Sequence, residues 1–171
     1  MTKTKTLTLG ICGPKDVGKT LLIKRVTEIL AHRYTIATLT NGVFTVEKIN
    51  CVPPTTLEDT ELVDELDLLH LSGKIDLIFV ERPELQPAKI KTDAMIYLLD
   101  ASAKSPRLPN LRGLILLNKI DLATYHRIDL ATLQAQVAAD QDQAEVLLTD
   151  LKDNQGLQNI VCWIEKNLEH L

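Results

Sequence analysis

Eight residues, Gly13-Pro14-Lys15-Asp16-Val17-Gly18-Lys19-Thr20, carry the clearest chemistry in the chain. They fit the pattern GxxxxGK[ST], in which glycines let the backbone wrap so closely that its N–H groups point at phosphate oxygens. Lys19 adds a full positive charge, and the Thr20 hydroxyl is a hard oxygen suited to Mg²⁺. Such a loop needs an apolar strand leading in and a helix leading out, because the helix N-terminus supplies further positive charge. Leu7–Cys12 (LTLGIC) leads in. Lys19–His32 leads out, with Leu22, Ile23, Val26, Ile29 and Leu30 at the spacing of one helix face. Both flanks are therefore right, which separates this segment from a chance glycine-rich turn.

A second segment, Leu114-Ile-Leu-Leu-Asn118-Lys119-Ile120-Asp121, is an apolar strand ending in NKxD. A carboxylate at Asp121 can accept both N1–H and N2–H₂ of guanine, whereas adenine offers no such donor pair. Asn118 would brace the loop and contact the base, and the Lys119 stem would cover the base face. Taken alone, an Asn-Lys-x-Asp run at a strand end is ordinary turn chemistry. Joined to a phosphate loop, it predicts GTP or GDP as ligand, with Mg²⁺ beside the phosphates.

These segments need a frame that brings them together. Thr35–Thr40 (TIATLT) reads as a second strand and Leu57–Leu71 as an amphipathic helix. Leu77–Val80, Ala94–Leu99 and Leu114–Leu117 are apolar on both faces, as covered parallel strands are. Leu130–Ala139 reads as helix, Glu145–Leu148 as a last strand and Leu157–Leu168 as a closing helix. Strands alternating with helices predict an α/β fold in three layers, with a mostly parallel central sheet and helices on both faces. There is no repeat, low-complexity segment or linker, so residues 1–171 are expected to form a single domain. Stretches at Pro53-Pro54, Pro83–Pro87 and Pro106–Pro109 read as loops at strand ends, where ligands bind in such folds.

Composition narrows the function classes. The chain is 45% hydrophobic and 25% charged, which fits a folded globular protein rather than a disordered one. A net charge of −4 with mixed signs argues against a nucleic-acid surface, which needs a clustered basic field. Cys12, Cys51 and Cys162 are widely spaced, without a CxxC pair, so no disulfide framework or zinc module follows. No signal peptide is recognisable, and no apolar run approaches the roughly 20 residues a spanning helix needs. A cytoplasmic protein with no membrane partner is expected.

With these motifs in place, the chain resembles the UreG/HypB family of P-loop GTPases that help load nickel into urease and hydrogenase, and it looks nearer to UreG. The likeness runs through Gly13–Thr20, Thr38-Leu-Thr-Asn41-Gly-Val-Phe-Thr45, and Asp76-Leu-Ile-Phe-Val-Glu81 as the acid-bearing third strand. It continues through Ile96-Tyr-Leu-Leu-Asp100, LLNKIDLA at Leu116–Ala123, Thr149-Asp-Leu-Lys152 as a base-side loop, and Gly156-Leu157 to Trp163-Ile-Glu165. The resemblance implies a P-loop NTPase fold, catalytic roles for Lys19 and Glu81, and Mg²⁺ held by Thr20 and Glu81. It also implies a nucleotide-dependent homodimer and a protein partner, either an accessory complex or a target enzyme.

Three departures from the family pattern bear on activity. The Cys-Pro-His metal motif would fall near Cys51-Val-Pro-Pro54, where no His follows; Cys51, with His70 as a stand-in, is the remaining candidate for Ni²⁺ or Zn²⁺. The switch acid after Asn41 is replaced by Gly42, with Glu47 nearby. Glu81 is followed by Arg82-Pro83-Glu84 in place of Ser-Gly-Gly, and proline has no N–H to offer a γ-phosphate. Arg82 could supply compensating charge or be an ordinary rim residue. The losses fall on γ-phosphate sensing and metal transfer, which predicts firm GDP and GTP binding with slow hydrolysis. Other readings stay open: a working nickel metallochaperone using Cys51 and His70, a small P-loop kinase, a MobB-like cofactor-biosynthesis adapter, or a binding-only regulatory module.

Overall fold

The computed structural model describes residues 5–40, 43–46, 67, 70, 73–82, 91–103, 110–141 and 143–171, with the backbone alone at 40 and 43–46. Strand β1 (Leu7–Cys12) is buried along its whole length, as expected of an apolar run with no polar face. The glycine loop turns it into helix α1 (Lys19–Leu30), followed by β2 (Ile36–Thr40) and β3 (Val43–Val46). Strands β4 (Leu77–Arg82), β5 (Ala94–Asp100) and β6 (Arg112–Asn118) come next, then helices α2 (Ile120–Tyr125) and α3 (Leu130–Ala139). Strand β7 (Gln143–Leu148) and helix α4 (Leu157–Glu169) close the chain.

The described strands form one seven-stranded sheet in the order β3-β2-β4-β1-β5-β6-β7. Every neighbouring pair is parallel except β2 and β3, which run antiparallel with Thr40 opposite Val43. Six of these strands are foreshadowed by apolar runs in the sequence, whereas β3 is not. Asn41-Gly42 between two β-branched runs is nevertheless a hairpin signal. The expected mostly parallel α/β sheet is what the structure has, with one antiparallel edge strand added.

Alternation along each strand sorts the side chains into two cores. On one face Leu9, Ile11, Phe79, Leu98 and Leu116 pack under α1 and α4, through Leu22 and Val26 of the first helix and Ile160 and Ile164 of the second. On the other, Ile115, Leu117 and Val146 pack under α2 and α3, through Ala123, Leu133 and Val137. Helices thus cover both faces. Leu22, Val26 and Ile160 are fully buried, and each such side chain contributes about 1.5–3 kcal/mol through the water it sheds.

Helix starts differ according to what they must do. At α3, Asp129 caps the first turn, its Oδ1 accepting from Ala131 N at 3.1 Å and Thr132 N at 3.3 Å. At α1 the capping position is Gly18, with no side-chain cap, so the first-turn N–H groups are left to the loop. No helix among the described residues is long and apolar enough to cross a membrane.

Candidate nucleotide site

All the parallel strands end on one edge of the sheet, and the loops carrying the sequence motifs gather there. The phosphate loop crosses from the centre of that edge, because β1 lies between β4 and β5. A Cβ on Gly13 would meet Leu98 O at 2.5 Å, so only glycine lets the loop pass this close to β5. Gly18 has φ +109°, and a Cβ there would lie 2.8 Å from Asn118 Nδ2. Val17 is buried, whereas Pro14, Lys15 and Asp16 are exposed on the crest, Asp16 in a left-handed conformation at φ 60°. Lys19 is 7% exposed. Its Nζ donates to Gly13 O at 2.9 Å and Pro14 O at 2.7 Å, so its charge is held over the loop it serves.

The register of β4 against β1 pairs Ile11 with Glu81 and Cys12 with Arg82. Alternation then sends Glu81 to the α1 face and Arg82 to the opposite face. On the α1 face the Thr20 hydroxyl stands 3.2 and 3.1 Å from the two Glu81 carboxylate oxygens, to which it donates. Two hard oxygen donors from distant parts of the chain therefore converge beside the loop. On the other face Arg82 lies in the electrostatic neighbourhood of Cys12 and Tyr97. Burial pushes the Cys12 thiol up against the opposing pull of Arg82 and Lys19, which leaves it a neutral thiol at physiological pH.

Asn118 is the junction of the site. It is 4% exposed. Its Nδ2 donates to Val17 O at 2.8 Å, and its Oδ1 accepts from Thr149 Oγ1 at 3.2 Å and Leu151 N at 3.1 Å. One amide thus ties the phosphate loop to the loop after β7. That loop holds its own shape: the Asp150 carboxylate accepts from Lys152 N at 3.0 Å, and Asp150 and Gln155 exchange backbone hydrogen bonds at 3.1 and 2.8 Å. Lys119 follows at φ 64°, with Nζ 2.8 Å from Asp100 Oδ2. Asp121 sits in the first turn of α2, exposed, its carboxylate making no hydrogen bond to any described residue.

Gly13–Thr20, Glu81 and Asn118–Asp121 accordingly lie along one edge. His70 does not join them. Its Nε2 is 2.9 Å from Thr8 Oγ1, near the start of β1, and four strand residues, about 13 Å, separate Thr8 from the loop end. Gly42, Glu47, Cys51 and Pro83 lie outside the described residues. Among the described residues no three His, Cys, Asp or Glu side chains are grouped to hold a metal. The contact that the sequence does not announce is Asp100 with Lys119. Its only signal is an acid closing the strand beside the one that ends in Asn118.

No family model matches the chain. Among curated proteins, the urease accessory protein UreG of Aliarcobacter butzleri is 28% identical over 191 residues, covering 93% of this chain and 97% of that protein. UreG of Ureaplasma parvum is 29% identical over 203 residues, covering 95% of each. Both aligned spans exceed the 171 residues of the chain, so these relatives carry insertions relative to it. Among solved structures, the hydrogenase maturation factor HypB from Archaeoglobus fulgidus superposes with a TM-score of 0.75 at 19% identity, covering 97% of this chain and 92% of that one. The likeness to UreG is therefore a whole-chain one, and the fold is shared with HypB, as the motifs led us to expect.

Proposed function

We propose that this UreG/HypB-like chain is a guanine-nucleotide-binding accessory protein, a single domain that grips GDP or GTP and works through a protein partner. The observation that carries the reading is the Asn118 junction, which fastens the phosphate loop to the two segments flanking the base position. In this reading the backbone of Gly13–Thr20 and Lys19 hold the phosphates, and Asp121 reads guanine N1–H and N2–H₂. The accessory role is taken from the relatives, which are named urease accessory proteins.

Thr20 and Glu81 suit Mg²⁺, because a hydroxyl and a carboxylate already within 3.2 Å of each other are the hard oxygens it prefers. The ion would neutralise charge on the phosphate oxygens. We read hydrolysis as slow. Gly42 and Pro83 offer neither an acid nor an N–H where the family pattern has them, and Arg82 leaves β4 on the face away from Thr20. A cytoplasmic location and nucleotide-dependent pairing of two copies complete the reading.

The test is equilibrium binding of GTP, GDP and ATP to the purified chain, with and without Mg²⁺ and Ni²⁺. Selective guanine binding that tightens with Mg²⁺ and ignores Ni²⁺ is expected. Equal affinity for ATP would overturn the role given to Asp121. Nickel-dependent dimerisation abolished by Cys51→Ala would replace the lead with the metallochaperone reading. A turnover rate matching efficient P-loop enzymes would remove the slow-hydrolysis part.

A further inference from the structure

We infer that Asp100 is a positioning residue for base recognition, holding the Lys119 ammonium so that the turn from β6 into α2 presents Asp121 in one place. The inference rests on the guanine reading above and adds a residue to it. Asp100 ends β5 directly beside Asn118 at the end of β6, and Ala101 N donates to Asn118 O at 2.8 Å, so the two strand ends are locked in register.

From that fixed point the carboxylate works with both oxygens. Oδ1 accepts from Ser102 N at 2.9 Å and Ser102 Oγ at 2.6 Å, which sets its orientation; Oδ2 is then aimed at Lys119 Nζ, 2.8 Å away. Residue 119 is where the chain changes direction. It has a left-handed backbone that a lysine does not favour by itself. Its carbonyl accepts from Leu122 N and Ala123 N, both at 3.1 Å, and so begins α2. Holding the side chain at one end and the carbonyl at the other leaves Asp121, two residues on, little freedom.

The pair is neither buried nor fully solvated, with side-chain exposures of 30% for Lys119 and 24% for Asp100. A fully exposed pair would contribute almost nothing. A carboxylate already oriented by two other donors loses less freedom in making the third bond. The same contact carries the lysine side chain from the end of β6 over to the end of β5.

Calorimetric titration of the purified chain with GDP, ADP and magnesium pyrophosphate tests this, with melting temperatures as a fold check. Asp100→Asn is expected to weaken GDP by about tenfold while leaving pyrophosphate within about twofold, because the phosphate loop does not depend on this contact. Asp100→Glu, which keeps the charge, should recover part of the GDP affinity. In a Lys119→Met background, Asp100→Asn should add little further loss, since the two residues act as one unit. Unchanged GDP affinity, equal losses for GDP and pyrophosphate, or additive losses in the double variant would each overturn the inference. A wild-type chain that binds ADP as well as GDP would defeat the guanine reading and this role with it. A wild-type chain that prefers GDP beside an indifferent Asp100→Asn would defeat the Asp100 role alone.

Discussion

A buried amide that donates to one acceptor and accepts from two donors cannot be trimmed without orphaning its neighbours. Asn118→Ala removes the partner of Val17 O and the acceptor used by Thr149 Oγ1 and Leu151 N. With each orphaned group worth about 1–3 kcal/mol, and relaxation or water recovering part of that, a loss of about 2–4 kcal/mol is expected in denaturant melts, together with loss of nucleotide binding. Thr20→Ala should instead leave stability nearly unchanged, because its partner Glu81 is reachable by water, and should abolish the gain in GDP affinity on adding Mg²⁺. Asp100 supplies a pH test. Burial pushes its carboxyl up, but hydrogen bonds from Lys119 and Ser102 outweigh this and hold it below the ordinary value of 3.8. A folded-state pKa below the unfolded one means that the stabilisation is present at neutral pH and is lost as pH falls through the folded value. The melting temperatures of wild type and Asp100→Asn should therefore differ at pH 7 and converge below about pH 4. Little of this was legible in advance. Gly13–Thr20 and Asn118–Asp121 declare themselves by type and spacing, whereas Asp100 meets Lys119 only because β5 and β6 end side by side.

At the scale of elements, the glycine at the start of α1 stands where strand, loop and helix must meet. Gly18→Ala forces a side chain onto φ +109° and sets its Cβ 2.8 Å from Asn118 Nδ2. It should cost about 1–3 kcal/mol in backbone strain alone and weaken nucleotide binding further by pushing on Asn118. Gly73→Ala is the control: its φ is +61° but a Cβ there meets no described residue within 4 Å, so the loss should be smaller, about 1–2 kcal/mol, with nucleotide affinity intact. Helices α1 and α4 were readable because a 3.6-residue apolar period survives over twelve or more residues in each, whereas α3 shows its buried side only at Leu133 and Val137, one turn apart. The six-residue α2 is too short for a period to emerge and is set by the turn at Lys119. Strand β3 was missed because four residues cannot outvote a loop-like neighbourhood, although Asn41-Gly42 carried the hint.

For the molecule as a whole, one sheet with β1 at its centre puts every site loop on a shared frame. A single domain on that frame should unfold in one transition, with calorimetric and van't Hoff enthalpies equal. GDP at a hundred times its dissociation constant should raise the stability by about 2.7 kcal/mol. Two separate transitions would count against residues 1–171 acting as one unit. The Asn118 junction also has a consequence in time. Its bond to Val17 O joins positions 101 apart in the sequence, and closing so long a loop costs chain entropy before the contact returns any stability. The pocket is therefore expected to form late in folding, so that a ligand recognising only the completed junction would have nothing to hold in the barrier state. Stopped-flow experiments should find refolding equally fast with and without GDP, while unfolding slows by nearly the whole of the binding free energy. Nucleotide would then govern how long the native chain lasts rather than how quickly it forms.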